Sequence, residues 1–202
     1  LLNPFLDKEF LTPANDNMVS FMQKNHKINR ETLDRFKVGL QYMYDKRSEE
    51  FTTGYSFPYF FNKSLVNALY VGGREDVYAD YGYEVCFNYD SIDNDEVYIV
   101  INEMDVLTLS QIGINSVISL YANQQDIANG NFSCLDFFEK IEDKLKDVRK
   151  FVIVYPPQNS YLEFRDEVVH RLGRERCWLA KTSSPQRTLN DEYMLGDKKA
   201  VL

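Results

Sequence analysis

Short apolar segments alternate with amphipathic segments through the second half of the chain. Four of the apolar segments have the length and composition of buried strands, namely 97–101, 116–120, 151–155 and 177–181. Three amphipathic segments place apolar residues at helical spacing, namely 103–112, 135–146 and 164–172. Strands that alternate with helices are typical of βαβ units. This half therefore predicts an α/β fold with a mainly parallel four-stranded sheet flanked by helices.

The first half of the chain carries a different pattern. Residues 15–37 predict two helices, the second of which is capped by Asn29. The polar stretch 45–54 predicts a turn that ends at Gly54. Three segments predict strands, of which the last two are joined as an antiparallel hairpin: 38–44, 55–60 and 65–71.

The change of pattern places a domain boundary in the polar, acidic stretch 89–96. We therefore expect an extended arm over residues 1–14, which contains Pro4 and Pro13. A small α+β module with antiparallel strands is expected over 15–95, and the α/β domain over 96–202.

Composition restricts the classes of function. The net charge of −8 argues against a protein that grips nucleic acid over a broad face, because such proteins carry a basic surplus. Cys86, Cys134 and Cys177 match no zinc spacing, and we expect free thiols in a reducing compartment. The chain has no run of about 18 apolar residues, so we expect no membrane span, and no cofactor is predicted.

Four segments, in order, resemble parts of one known family. The opening Val97-Tyr-Ile-Val-Ile-Asn-Glu-Met-Asp105 is similar to the strand and Glu-Gly-Glu-Met-Asp that open the Toprim domain in the primase–helicases of phages and organelles. Arg171-Leu-Gly-Arg-Glu-Arg-Cys-Trp178 resembles the end of the helix after the second Toprim motif in plant organellar Twinkle-type proteins. Upstream, Phe57-Pro-Tyr-Phe-Phe-Asn-Lys-Ser-Leu-Val-Asn67 resembles the hairpin that precedes Toprim, and Leu189-Asn-Asp-Glu192 stands in the place of a late Lys-Asp-Ala-Asn-Glu motif. The resemblance implies a Toprim-like sheet over the second half.

The resemblance also implies where metal-binding carboxylates should stand. Alignment places Ile101 at the position of the family's catalytic Glu, and Pro156 and Gln158 at its Asp-x-Asp pair. Ile101 and Pro156 have no side chain that can bind Mg²⁺, and Gln158 offers one neutral oxygen. Glu103 and Asp105 remain, in the first turn of a predicted helix, where acidic residues are favourable without any catalytic role. We therefore expect degenerate metal positions, no bound metal and no catalytic residues.

An aromatic cluster near the hairpin has two interpretations. Alternation places Tyr55, Phe57 and Tyr59 on one strand face, which favours core packing. The alternative is an exposed contact surface for protein or nucleic acid. Its candidate residues are Tyr55, Tyr59, Phe61, Lys63 and Arg74.

The leading hypothesis is a non-catalytic scaffold subunit of an organellar nucleoprotein complex, such as the transcription or nucleoid machinery. The resemblance favours a plastid over a mitochondrion, and a start at Leu1 is compatible with a removed transit peptide or a longer N-terminus. The expected partners are other protein subunits, with nucleic-acid contact indirect or weak and no membrane. Two alternatives are a divergent organellar primase that synthesises primers and a nucleic-acid binding module without catalysis.

Overall fold

The computed structural model describes residues 12–45, 50–72, 77–78, 85–120 and 124–196. The chain divides into two compact units between Val85 and Cys86. The sequence predicts the boundary after Asp95, which is further along the chain than this division. Residues such as Phe87, which bridges to Ser119, pack with the second unit instead.

In the first unit, two helices accompany an antiparallel sheet. Helices α1 (Asp16–His26) and α2 (Arg30–Phe36) begin at asparagine caps, as predicted for the second. The Asn29 side-chain oxygen accepts a 2.8 Å hydrogen bond from the Thr32 amide, which satisfies one of the free donors at the helix start. Five described strands pair in chain order: β1 (Thr12–Pro13), β2 (Gly39–Asp45), β3 (Glu50–Phe61), β4 (Ser64–Val71) and β5 (Val77–Tyr78).

The hairpin between β3 and β4 confirms the sequence prediction. Its two turn residues, Asn62 and Lys63, both have left-handed backbone angles, with φ of 51° and 64°. Two consecutive left-handed residues are the signature of the turn that best matches the twist of antiparallel strands. Residues 1–11 of the predicted arm lie outside the described part, and Thr12–Pro13 pair with β2.

The prediction of a turn ending at Gly54 is wrong. Gly54 lies inside β3 and is paired with Gln41, while residues 46–49 lie outside the described part of the chain. A Cβ at Gly54 would lie 2.4 Å from the main-chain oxygen of Val71 and 3.1 Å from the Cα of Gly72. This glycine is therefore needed for close backbone approach between strands.

In the second unit, the described strands form a fully parallel four-stranded sheet, as predicted. The strands are β6 (Glu96–Val100), β7 (Val117–Ser119), β8 (Lys150–Tyr155) and β9 (Cys177–Lys181), in the spatial order β7-β6-β8-β9. Six described helices accompany the sheet: α3 (Glu103–Gln111), α4 (Gln124–Ala128), α5 (Phe137–Lys140), α6 (Glu142–Leu145), α7 (Asn159–Leu172) and α8 (Leu189–Leu195). None of the helices in the described ranges is long and apolar enough to cross a membrane.

The single helix predicted over 135–146 is broken into shorter pieces. A 3₁₀ turn over Ser133–Asp136 leads into α5, and Ile141 (φ −121°, ψ 20°) separates α5 from α6. The four apolar residues that suggested one helical face are nevertheless all buried: Leu135, Phe138, Ile141 and Leu145. The first three recur every three residues, a spacing that tight 3₁₀ geometry keeps on one face better than an α-helix does.

Candidate functional site

The candidate site lies at the carboxyl ends of β6 and β8. These two strands are neighbours, but the chain leaves β6 towards β7 and leaves β8 towards β9. Such a change of direction opens a crevice beyond the strand ends, where open α/β sheets bind ligands. Ile101 directly follows β6, and Pro156 directly follows β8. The structure therefore brings these two sequence-predicted positions to the same end of the sheet, beyond the carboxyl ends of neighbouring strands.

Gln158 completes the set and is held by main-chain contacts. It precedes α7, and its carbonyl accepts hydrogen bonds of 3.1 Å from the Tyr161 and Leu162 amides. Its side-chain amide donates to the main-chain oxygen of Pro185, which ties the start of α7 to the loop before α8. That nitrogen is thus used for positioning a loop, and only the neutral side-chain oxygen could face an ion.

The residues at these three positions do not fit a magnesium ion. Mg²⁺ takes about six oxygen ligands and is typically held by one or two carboxylates. The side chains of Ile101 and Pro156 supply no oxygen, and that of Gln158 supplies one neutral oxygen. Within the described ranges, no three His, Cys, Asp or Glu side chains converge as a metal centre would require.

Glu103 is the first of the two remaining acidic residues near the crevice. It lies in the first turn of α3, as predicted, but its side chain is buried. The buried hydroxyl of Ser119 donates a 3.0 Å hydrogen bond to its Oε1. Because Ser119 ends β7, this contact joins the start of α3 to the neighbouring strand.

Asp105 is the second acidic residue, and it is only 2% exposed. Its Oδ1 accepts a 2.8 Å hydrogen bond from the Asn190 amide, and the Leu189 amide also donates to this carboxyl group. Its Oδ2 accepts a 3.2 Å hydrogen bond from the Asn102 side chain. Asp105 thus binds the first amides of α8 and fixes that helix against α3.

The environment of Asp105 disfavours its charge. Burial raises the pKa of the carboxyl group to about 7, while the amide hydrogen bonds from Asn190 and Leu189 act in the opposite direction. The negative charges of Asp191 and Glu103 raise the pKa further. Burial, with a contribution from the Asp105 charge, also raises the pKa of Tyr161.

A buried polar network extends from Asp105 along α8, and sequence reasoning missed it. The Asn190 side chain donates a 2.8 Å hydrogen bond to Thr108 Oγ1, and the Thr108 hydroxyl donates to the Met104 carbonyl. Glu192, also 2% exposed, accepts a 2.8 Å hydrogen bond from the Ser183 amide. A signal was present, because Thr188-Leu-Asn-Asp191 is a capping box and marks the start of a helix.

The aromatic candidates divide between core and surface. Tyr59 is fully buried, so it packs in the core of the first unit and is unsuited to contact a partner. Tyr55 is half-buried and packs edge-on against buried Phe57, with ring centroids 5.7 Å apart. Phe61 is half-buried and Lys63 is exposed at the hairpin turn. Arg74 lies outside the described residues.

Comparison with solved structures identifies the fold. The primase fragment of the bacteriophage T7 primase–helicase matches with a TM-score of 0.65 and 11% identity, over 88% of this chain and 70% of that one. The DnaG catalytic core matches with a TM-score of 0.66 and 12% identity, over 95% and 73% of the two chains. A DNA primase domain from Pseudomonas aeruginosa matches with a TM-score of 0.63 and 11% identity, over 92% and 69%.

The fold is that of a primase catalytic core. The parallel sheet of the second unit corresponds to a primase-type Toprim fold, which agrees with the fold that the sequence predicts. No protein-family model and no curated protein matches the chain. At 11–12% identity these neighbours establish the fold alone.

Proposed function

We propose that this primase-fold chain is a non-catalytic structural subunit of an organellar nucleoprotein complex, with a plastid favoured. One observation carries the proposal: the residues that directly follow the two central strands are Ile101 and Pro156, and Gln158 beyond them donates a hydrogen bond to Pro185. Phosphoryl transfer depends on metal ions that neutralise developing charge on the phosphate oxygens. A crevice without carboxylates at these positions is poorly equipped to hold such ions.

The contacts of the two nearby carboxylates support the same proposal. A carboxylate that binds a metal must present its oxygens to the crevice. Oδ1 of Asp105 is instead occupied by the α8 amides, Oδ2 by Asn102, and Oε1 of Glu103 by Ser119. We therefore assign both residues a role in holding helices and strands together.

A primer-synthesis assay tests the absence of catalysis. The intact chain is incubated with single-stranded template, ribonucleotides and Mg²⁺ or Mn²⁺, with the T7 primase fragment as the active control. We expect no primers above background. Primer synthesis that is lost on Glu103→Gln or Asp105→Asn, with the fold retained, would establish the divergent-primase alternative instead.

A gain-of-binding variant tests the metal argument directly. The triple change Ile101→Glu, Pro156→Asp and Gln158→Asp places carboxylates at the strand ends. We expect isothermal titration calorimetry to detect Mg²⁺ binding to the variant and none to the wild type, since carboxylates are the ligands that Mg²⁺ prefers. Equal Mg²⁺ binding by both proteins would contradict the assignment of the site.

The scaffold role is tested by isolation of the intact protein from organelles. Its net charge of −8 suits association with basic partners, which electrostatic attraction would steer. We expect the tagged chain to co-purify from plastids in fixed stoichiometry with other subunits. A protein that elutes as a solitary monomer from native extract would refute this role.

A further inference from the structure

The strand β9 forms an open edge of the parallel sheet. Within the described residues it pairs with β8 alone. The Thr182 amide donates a 3.2 Å hydrogen bond to the main-chain oxygen of Tyr155, and Tyr155 is in register with Lys181. Main-chain groups alternate in direction along a strand, so those of Leu179 and Lys181 point away from β8. No other described strand pairs with these groups, so within the described part of the chain they are available to an additional strand.

Large apolar side chains flank this edge on both faces of the sheet. Trp178 is 49% exposed and Leu179 is 51% exposed. Successive strand residues point to opposite faces, so the two side chains present apolar surface above and below the same edge. Proteins usually blunt open edges with charges or cover them, and exposed apolar edges mark sites of strand addition.

A recess lies beside Trp178 on its face of the sheet. It has a volume of about 240 Å³, and its lining includes Tyr98, Val152 and Trp178. The Lys150 ammonium lies 5.4 Å from the centre of the Trp178 ring and is ion-paired with Glu96. The lining also includes Lys150, Lys181 and Thr182, so the recess is partly apolar and partly polar. A side chain from an added strand could fill it.

The charge around β9 is opposite to that of the whole chain. Arg174 precedes the strand and Lys181 ends it, both are exposed, and neither has an ion-pair partner among the described residues. Glu175 is the exposed acidic neighbour, whereas Arg176 is engaged with main-chain oxygens. In a chain of net charge −8, unpaired cations at both ends of one edge favour an acidic ligand.

We propose that β9 is a docking edge for an extended acidic segment of a partner protein, which adds to the sheet as a further strand. The inference deepens the proposed scaffold function and rests on it for the identity of the partner as a subunit of the same complex. In strand addition, main-chain hydrogen bonds provide the affinity and alternate side chains provide the specificity. The main-chain groups of β9 and the recess beside Trp178 are suited to these two kinds of contact.

Two other occupants fit these features less well. Single-stranded nucleic acid would stack on Trp178, but it has no use for the main-chain groups of the edge or for Leu179 on the opposite face. A second copy of the chain would bring its own Arg174 and Lys181 to the same seam, and like charges across a strand pair are unfavourable.

The test uses a short fluorescein-labelled peptide in which Val or Ile alternates with Asp or Glu. Trp178 is the only tryptophan of the chain, so its emission reports directly on this edge. We expect the peptide to change the Trp178 emission, and its anisotropy to show binding that weakens with salt. A peptide with alternate amides N-methylated, or with Lys in place of the acidic residues, should not bind.

Charge variants of the protein supply the matched comparison. The double variant Arg174→Glu and Lys181→Glu should weaken peptide binding about five- to tenfold, on the scale of two exposed ion pairs. The control Lys24→Glu and Lys140→Glu alters exposed lysines elsewhere by the same total charge and should leave binding unchanged. Equal binding by both double variants, or no binding to folded wild type, would overturn the proposal.

Two further results would also overturn it. Tighter binding of an oligo-dT strand than of the peptide, with a larger change in Trp178 emission, would make β9 a nucleic-acid surface. A dimer in analytical ultracentrifugation that is lost in Leu179→Pro would make it a contact between copies. If that variant fails to fold, dissociation of the wild-type dimer by the acidic peptide identifies the same contact. Primer synthesis is measured separately. If the chain both binds the peptide and synthesises primers, the non-catalytic scaffold function is refuted, but the proposal that β9 binds an added strand is not.

Discussion

The buried carboxyl group of Asp105 makes the stability of the second unit depend on pH. The change Asp105→Asn keeps the shape of the side chain and removes its ionisation. The variant loses one acceptor towards Asn102, which should lower the free energy of unfolding by about 1–2 kcal/mol at every pH. Only the pH-dependent part of the difference between wild type and variant therefore reports on ionisation.

The sign follows from the raised pKa of Asp105. In the unfolded chain the group titrates near its ordinary value of 3.8, whereas in the folded protein its pKa is about 7. The folded state therefore binds the proton more tightly, and this contribution is fully present below about pH 4 and is lost as the pH rises to about 7. At 1.36 kcal/mol for each pKa unit, the wild type should lose roughly 4 kcal/mol relative to Asp105→Asn across that interval.

Urea unfolding followed by the emission of Trp178 measures this difference, because that tryptophan lies in the same unit as Asp105. Wild type and Asp105→Asn are compared at a series of pH values from about 4 to about 8. Glu139→Gln, a change at an exposed carboxyl group, is the matched control and should run parallel to wild type. Parallel curves for wild type and Asp105→Asn would refute the argument that burial disfavours the Asp105 charge.

Three further changes test the packing described above by thermal or urea unfolding. Arg176→Met keeps the side-chain stem but removes the guanidinium hydrogen bonds to the ends of two helical segments. It should lower the free energy of unfolding by about 2–4 kcal/mol, and an unchanged free energy of unfolding would contradict that role. Lys63→Gly should stabilise the first unit by about 0.5–1 kcal/mol, because the position is left-handed, and destabilisation would count against the turn geometry. Gly54→Ala should destabilise the same unit by about 1–3 kcal/mol through its clash with the Val71 carbonyl, and a neutral result would show that β3 and β4 can separate there.

Local patterning predicted much of the fold. The strands of the parallel sheet and helices α3 and α7 follow from apolar periodicity, and the hairpin follows from two strand patterns around Asn62 and Lys63. These elements could be predicted because the spacing of apolar residues along a strand or a helix depends only on residues close together in the sequence. The resemblance to a primase-type Toprim domain supplied the topology, and the likeness to solved primase cores agrees with it.

Other features depended on contacts that no local pattern records. Gly54 has the composition signal of a turn, but the approach of the Gly72 backbone makes it a strand residue. The stretch 135–146 has helical spacing, but burial of its apolar residues is achieved with short helical pieces. Tyr59 was a candidate for partner contact, and the sheet buries it completely.

The sequence by itself determined which side-chain chemistry stands after the two central strands, because the side chains of Ile101 and Pro156 offer no ligand atom to a cation in any fold. Only the tertiary structure decided what the remaining acids contact. Asp105 and Asn190 are separated by 85 positions, and their hydrogen bond exists only because α8 packs against α3. The same packing removes Asp105 from water and raises its pKa, since desolvation is set by every group around it and not by its neighbours in sequence.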